Sequence, residues 1–227
     1  MNRYKDIEYR LKTSERKTTS IYIERDGSVS VLAPKPFDTD KIESIIESKR
    51  SWIYRSLAEW EDLNRTRIAR EFVNGESFPY LGRNYQLRIS DDQNEPLKLK
   101  NGYFSIRYDR LNEGKEVFKA FYKQKAVLKL PERIALYTPL LGVKPGNIRV
   151  MELQGRWASC TPAGDLNFNW KCMMAPLKTL DYIIVHELAH LKVSDHSAPF
   201  WHEVDKIIPD YQHRIAWLNR NGASMEL

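Results

Sequence analysis

The run Leu177-Lys-Thr-Leu-Asp-Tyr-Ile-Ile-Val-His186-Glu187-Leu-Ala-His190-Leu-Lys-Val-Ser-Asp-His196 decides how this chain is read. Leu180, Ile184, Leu188 and Leu191 recur at helical spacing, so a helix from about Leu177 to Lys192 is expected, with its apolar back in a core. At ~100° per residue, His190 lies only ~40° around from His186 and one turn along, so both imidazoles can meet one ion. Glu187 stands ~100° around, at the edge of that face, where it reaches a bound water without itself ligating.

A catalytic zinc takes three protein ligands and leaves a fourth position open. His196 is the candidate third ligand. It sits in a loop whose Ser194, Asp195 and Ser197 form turns and caps. The H-E-x-x-H-x5-H spacing equals that of metzincins, with Val193 where their turn uses glycine. His202 and Glu203, on an expected next helix beginning near Ala198-Pro199, are the alternatives. Composition alone predicts about 0.01 chance H-E-x-x-H matches per chain, so context decides. The chain has five histidines, and all of them fall between His186 and His213. Three neutral imidazoles would hold one Zn²⁺, whose bound water titrates near ~7. Glu187 would take the water's proton and pass it to the leaving amine, which is amide hydrolysis.

The rest of the composition frames this reading. With 227 residues, 42% hydrophobic and 29% charged, the chain is neither disordered nor collagen-like and can bury a sizeable core. Cys160 and Cys172 are the only cysteines, too few for a disulfide framework, and favour a reducing, cytoplasmic setting. No signal peptide or bilayer-spanning stretch is read, so no membrane association is expected. The net charge of +6 is mild. Basic residues concentrate in Arg10–Lys17, Arg65–Arg70 and Lys115–Lys129. The last alternates with Val117, Phe121, Val127 and Leu128 at helical spacing, which suits a solvated helix face or, through Lys119, Lys123 and Lys125, association with DNA.

Strand signals dominate the first half. Lys17–Glu24 and Val29–Ala33 flank the turn Arg25-Asp26-Gly27-Ser28, a hairpin. Asp38 or Thr39 caps an expected helix from about 40 to 63 through Ile42, Ile45, Ile46, Trp52, Ile53 and Leu57. Strands are expected at 76–80, 84–89 and 103–108, then helix from about 114 to 141 with Pro131 restarting it. Strands at 147–153 and 166–170 precede the histidine helix. Strands first and helices later give an α+β chain. Its expected division is a β-rich subdomain, 1–110, packed on a metallopeptidase subdomain, 111–227.

Taken together, Arg156-Trp-Ala-Ser-Cys160, Leu166-Asn-Phe-Asn-Trp170, the histidine helix, His196-Ser-Ala-Pro-Phe-Trp201 and Pro209-Asp-Tyr211 resemble the YgjP-like metallopeptidase family, related to the SprT-like and WLM zinc proteases. Upstream, Ser14–Thr18, Val31–Pro34, Trp52-Ile53 and Gly75–Gly82 fit as well, so the resemblance spans nearly the whole chain. It implies a small zincin-type H-E-x-x-H core behind a β-rich region, with His186, His190 and His196 as ligands of one zinc ion and Glu187 as catalytic base. The implied substrates are proteins or peptides. The SprT-like relatives degrade proteins crosslinked to DNA, which joins the protease and DNA readings, and a structural zinc module is a third. Ala158 stands where the family has glycine, which would matter if that position needed a positive φ. Trp157, Ser159 and Cys160 are candidates to line the cleft, and Cys160 as a fourth ligand would close the site. Asn169 and Tyr211 are candidate hydrogen-bond donors to substrate.

Overall fold

The computed structural model describes residues 1–24, 27–64, 70–153 and 155–227. The chain separates into two compact units, Met1–Arg67 and Ile68–Leu227. The architecture is mixed α+β, with three small sheets among the described residues.

In the first unit, β1 (Asn2–Tyr4), β2 (Ile7–Ser14), β3 (Ser20–Ile23) and β4 (Val29–Pro34) precede helix α1 (Thr39–Asn64). The sheet order is β1-β2-β4-β3, with β3 antiparallel to β4 as the hairpin expectation requires. Arg25 and Asp26 of its turn lie outside the described residues. Strand β2, parallel to β4, is not anticipated by the sequence reading. Its charged residues obscure a period-two pattern in which Ile7 and Tyr9 are buried while Glu8 and Arg10 face solvent. Asp38 is the cap of α1, its Oδ1 accepting from the backbone N–H groups of Asp40 and Lys41 at 3.1 and 3.4 Å. Ile42, Ile46 and Ile53 bury against Ile7, Tyr9, Val29, Val31 and Ala33. Trp52, expected on this stripe, is 43% exposed, because the buried arc of the helix is narrower than the run of apolar residues.

In the second unit, β5 (Ser77–Tyr80), β6 (Arg83–Ser90), β7 (Leu97–Lys100) and β8 (Tyr103–Arg107) form a sheet of order β5-β6-β8-β7. Helix α2 (Gly114–Leu141) follows. The rings of Phe78 and Phe118 stack at 4.0 Å, and Phe104 joins them. These strands therefore share a core with the helical half within the unit Ile68–Leu227. Pro131 does not restart a helix: α2 runs through it. Ala126, Leu130 and Ile134 continue one buried stripe past the proline. The carbonyl that its missing N–H would have bonded belongs to Val127, on the exposed side, where water can serve it.

Along α2, Lys119 is paired with Glu152 at 2.5 Å and Lys129 with Glu132 at 2.7 Å, the pattern of a solvated helix face. Strands β9 (Ile148–Met151), β10 (Ala158–Cys160) and β11 (Leu166–Asn169) make a sheet of order β10-β11-β9, so β10 is an edge. Helices α3 (Leu177–Ala189), α4 (Ala198–Ile207) and α5 (Tyr211–Asn221) complete the unit. Cys160 and Cys172 are free thiols. No helix among the described residues is long and apolar enough to cross a membrane.

Candidate metal centre

Helix α3 is buried on more sides than its pattern suggests. Leu180, Ile184 and Leu188 are fully buried as expected, and Ile183, Val185 and Ala189 are buried too. Asp181 anchors it by a bidentate pair with Arg133 of α2, at 2.8 and 2.6 Å. The last turn carries His186 and Glu187, and His190 caps the helix.

The chain beyond then folds back. The carbonyl oxygen of Val193 accepts a hydrogen bond from Nδ1 of His190 at 3.1 Å. Asp195 accepts from the Ser197 backbone N–H at 3.1 Å, closing an Asx turn. Lys192 donates to Glu203 at 2.7 Å and ties the chain leaving α3 to α4, and Lys206, on α4 itself, donates to the same carboxylate at 2.6 Å. Flanked by these lysines, the Glu203 carboxyl is held down at about 2.

This loop returns His196 to the helix, and one candidate ligand atom each from His186, His190 and His196 lies within 4.8 Å of the others. The Nε2 atoms of His186 and His196 are 3.0 Å apart. Zinc–nitrogen bonds of about 2.0–2.1 Å set two tetrahedral ligand nitrogens roughly 3.3 Å apart, so the separation is close to that of a loaded site. Burial holds His186 neutral, at about 3, and lowers His190 also. The outer nitrogens are engaged, Nδ1 of His190 by Val193 and Nδ1 of His186 by the Tyr182 hydroxyl at 3.3 Å. Bonding to Val193 makes Nδ1 the protonated nitrogen of neutral His190, which leaves its Nε2 lone pair free for a metal. The donor set therefore fits a divalent ion.

Behind the histidines lies Phe200, fully buried, with its ring centroid 4.8, 4.5 and 4.8 Å from those of His186, His190 and His196. Trp201 leans on His186 and His196 and stacks on Tyr211 at 5.1 Å. Phe200 and Trp201 thus pack directly on the triad. His202 is exposed and not part of the cluster, and Glu203 is committed to its two lysines.

Glu187 is buried, and desolvation raises its carboxyl to about 7 against the Cys160 backbone N–H and the Arg156 charge, which favour the carboxylate. The Cys160 thiol is pushed up by burial, then by the charge of Glu187. It lies 3.5 Å from the Thr161 carbonyl and is not grouped with the histidines. The concern over Ala158 dissolves: it is a strand residue, absent from the positive-φ positions, and its methyl is buried. Asn169 serves the fold rather than substrate. Its Nδ2 donates to the carbonyls of Leu153 and Arg156 at 2.8 and 3.3 Å, and its Oδ1 accepts from the Lys171 N–H.

Beside the triad opens a cleft of about 280 Å³, between α3, α5 and the segment entering β10. His186 and Glu187 border it, as do Tyr182 and Arg156. Tyr182, Arg156 and the α5 wall join the site in the folded chain. Arg156 and α5 lie far along the chain from the histidine helix and carried no signal, whereas Tyr182, one turn before His186 on α3, is legible from helical spacing.

Three imidazoles converging beside a buried carboxyl group, with a cleft leading to them, have the chemistry of a metal-dependent hydrolase. The chain belongs to the YgjP-like metallopeptidase domain family, whose model matches residues 17–221. Membership implies a metal ion and a peptide substrate. Two solved structures are similar over part of the chain. The metallopeptidase zymogen of Pyrococcus abyssi abylysin is 24% identical, covering 43% of this chain and 98% of that one, with a TM-score of 0.39. The metallopeptidase zymogen of Methanocaldococcus jannaschii jannalysin is 21% identical, covering 38% and 93%, with a TM-score of 0.34. A comparison with curated proteins returned no match.

Proposed function

We propose that this metallopeptidase is a zinc enzyme of the zincin type, in which His186, His190 and His196 hold one zinc ion and Glu187 is the general base. The observation that carries the reading is the convergence of the three imidazoles with the buried carboxyl of Glu187, one residue from His186 and bordering the same cleft. A carboxylate beside the attacking water can accept its proton and return it to the leaving group. Zinc at this site supplies Lewis acidity toward a peptide carbonyl oxygen and toward water.

The protein's own residues do the rest. Val193 and Tyr182 orient the His190 and His186 rings. Glu187 accepts the proton of the attacking water at a carboxylate oxygen. It delivers that proton to the amide nitrogen as the C–N bond breaks, leaving a carboxylic acid and an amine. The edge position of β10 suits an extended substrate. Its Ser159 is paired with Asn167 in register, and the neighbouring N–H of Cys160 reaches Glu187 on the open side. Two free thiols suit a reducing compartment, so the proposed substrates are intracellular proteins.

Zinc content and peptide hydrolysis measured on Glu187→Gln test the assignment together. Expected is one bound zinc and loss of hydrolysis. Hydrolysis that survives the change overturns the assignment of the base, and absence of zinc from the wild-type protein overturns the metal.

A further inference from the structure

The cleft beside the triad has walls of two characters. Trp157, Ile183, Ile215 and Leu218 make most of it apolar. Among the described residues, Arg156 is the only lysine or arginine that lines it, and Glu187 the only carboxylate. Ile215, Leu218 and Asn219 follow one another at helical spacing, so a single face of α5 forms the wall opposite α3.

Arg156 is exposed, and among the described residues no carboxylate stands within ion-pair distance of it. Its backbone is nevertheless pinned. The buried Asn169 holds its carbonyl, and the next carbonyl, of Trp157, accepts from both the Asn169 N–H at 2.7 Å and the Cys172 thiol at 3.2 Å. The Trp157 ring is backed by Gly222, where an added Cβ would stand 2.9 Å from Cζ2. The backbone that carries the guanidinium is thus held in place at the edge of an apolar pocket that adjoins the reacting groups. In water such a charge gains little, but against an anion at a partly desolvated site it forms short, bidentate hydrogen bonds. The pocket is at the small end of ligand sites, enough for one bulky side chain.

We propose that Arg156 is a specificity-determining residue, selecting peptides in which a carboxylate neighbours a bulky apolar side chain seated between α3 and α5. This rests on the peptidase reading and names its substrate class. The carboxylate can come from an Asp or Glu side chain or from a peptide C-terminus.

Four versions of one short peptide distinguish these sources, each containing a phenylalanine. The flanking residue is Asp or Asn, and the C-terminus is free acid or amide. Their binding to the full-length, zinc-loaded Glu187→Gln protein is measured by calorimetry. At low salt the version with the preferred carboxylate is expected to bind about tenfold more tightly than the fully neutral one. Arg156→Gln should bring that ratio to about one, and Arg156→Glu should turn the preference toward a Lys-containing peptide. Equal binding of all four, binding of none, or a carboxylate preference that survives Arg156→Gln overturns the proposal. Hydrolysis by the wild-type protein is followed separately. Its absence beside an intact carboxylate preference sinks the peptidase reading alone, and hydrolysis without preference sinks the selectivity alone.

Discussion

Nε2 of His186 stands 3.0 Å from Nε2 of His196, although ten residues separate them in the chain. The His190–Val193 hydrogen bond, the Asx turn at Asp195 and the Lys192–Glu203 tie bring the loop back over the helix end. His196→Ala is therefore expected to weaken zinc binding by well over the roughly 10–100-fold typical of an outer partner, while His202→Ala leaves it unchanged. Metal-competition titrations check both. Equal losses would move the third ligand to α4.

Tyr182→Phe keeps the ring and removes only the hydroxyl that faces Nδ1 of His186. About tenfold weaker zinc binding is expected, with an unchanged melting temperature of the metal-free protein. Unchanged affinity would show that the His186 ring is held by packing alone.

Phe200 is fully buried against all three imidazoles. Phe200→Ala is expected to cost about 3–5 kcal/mol in urea unfolding of the metal-free protein. Phe200→Leu should cost less and retain zinc, since an apolar body still backs the rings. Were the leucine variant to lose zinc while remaining folded, the aromatic face itself would be required.

Glu203 supplies a pH signature. Hydrogen bonds from Lys192 and Lys206 lower its carboxyl from 4.5 to about 2 in the folded chain. Its contribution to stability is thus fully present above 4.5 and is lost as the pH falls toward 2. The stability difference between wild type and Glu203→Gln should be constant above that window and shrink within it. A difference that does not change with pH would mean the pair contributes nothing beyond its shape.

Gly222 is required for close approach, not for its φ, since a methyl there would press on the Trp157 ring. Gly222→Ala should shift Trp157 toward the cleft and weaken peptide binding more than zinc binding. Calorimetry with peptide and with zinc separates the two effects.

The helix carrying His186, Glu187 and His190 was legible because its evidence is local: a 3.6-residue period sets which side chains share a face, and the ligand spacing follows from it. The hairpin β3–β4 and the cap at Asp38 were legible for the same reason. The parallel partner β2 was not, because parallel pairing leaves no turn signal between its strands. Pro131 misled because a local rule met a helix whose buried stripe on both sides outweighs one lost hydrogen bond.

What the sequence by itself determined is therefore the histidine centre and the residue types that converge on it. The tertiary structure alone decided what surrounds that centre. It put Phe200 behind the rings, brought Arg156 and α5 to one cleft, and placed β5–β8 in the second unit's core. Those relationships join residues far apart in the chain. They depend on how apolar faces pack, which no spacing along the chain encodes.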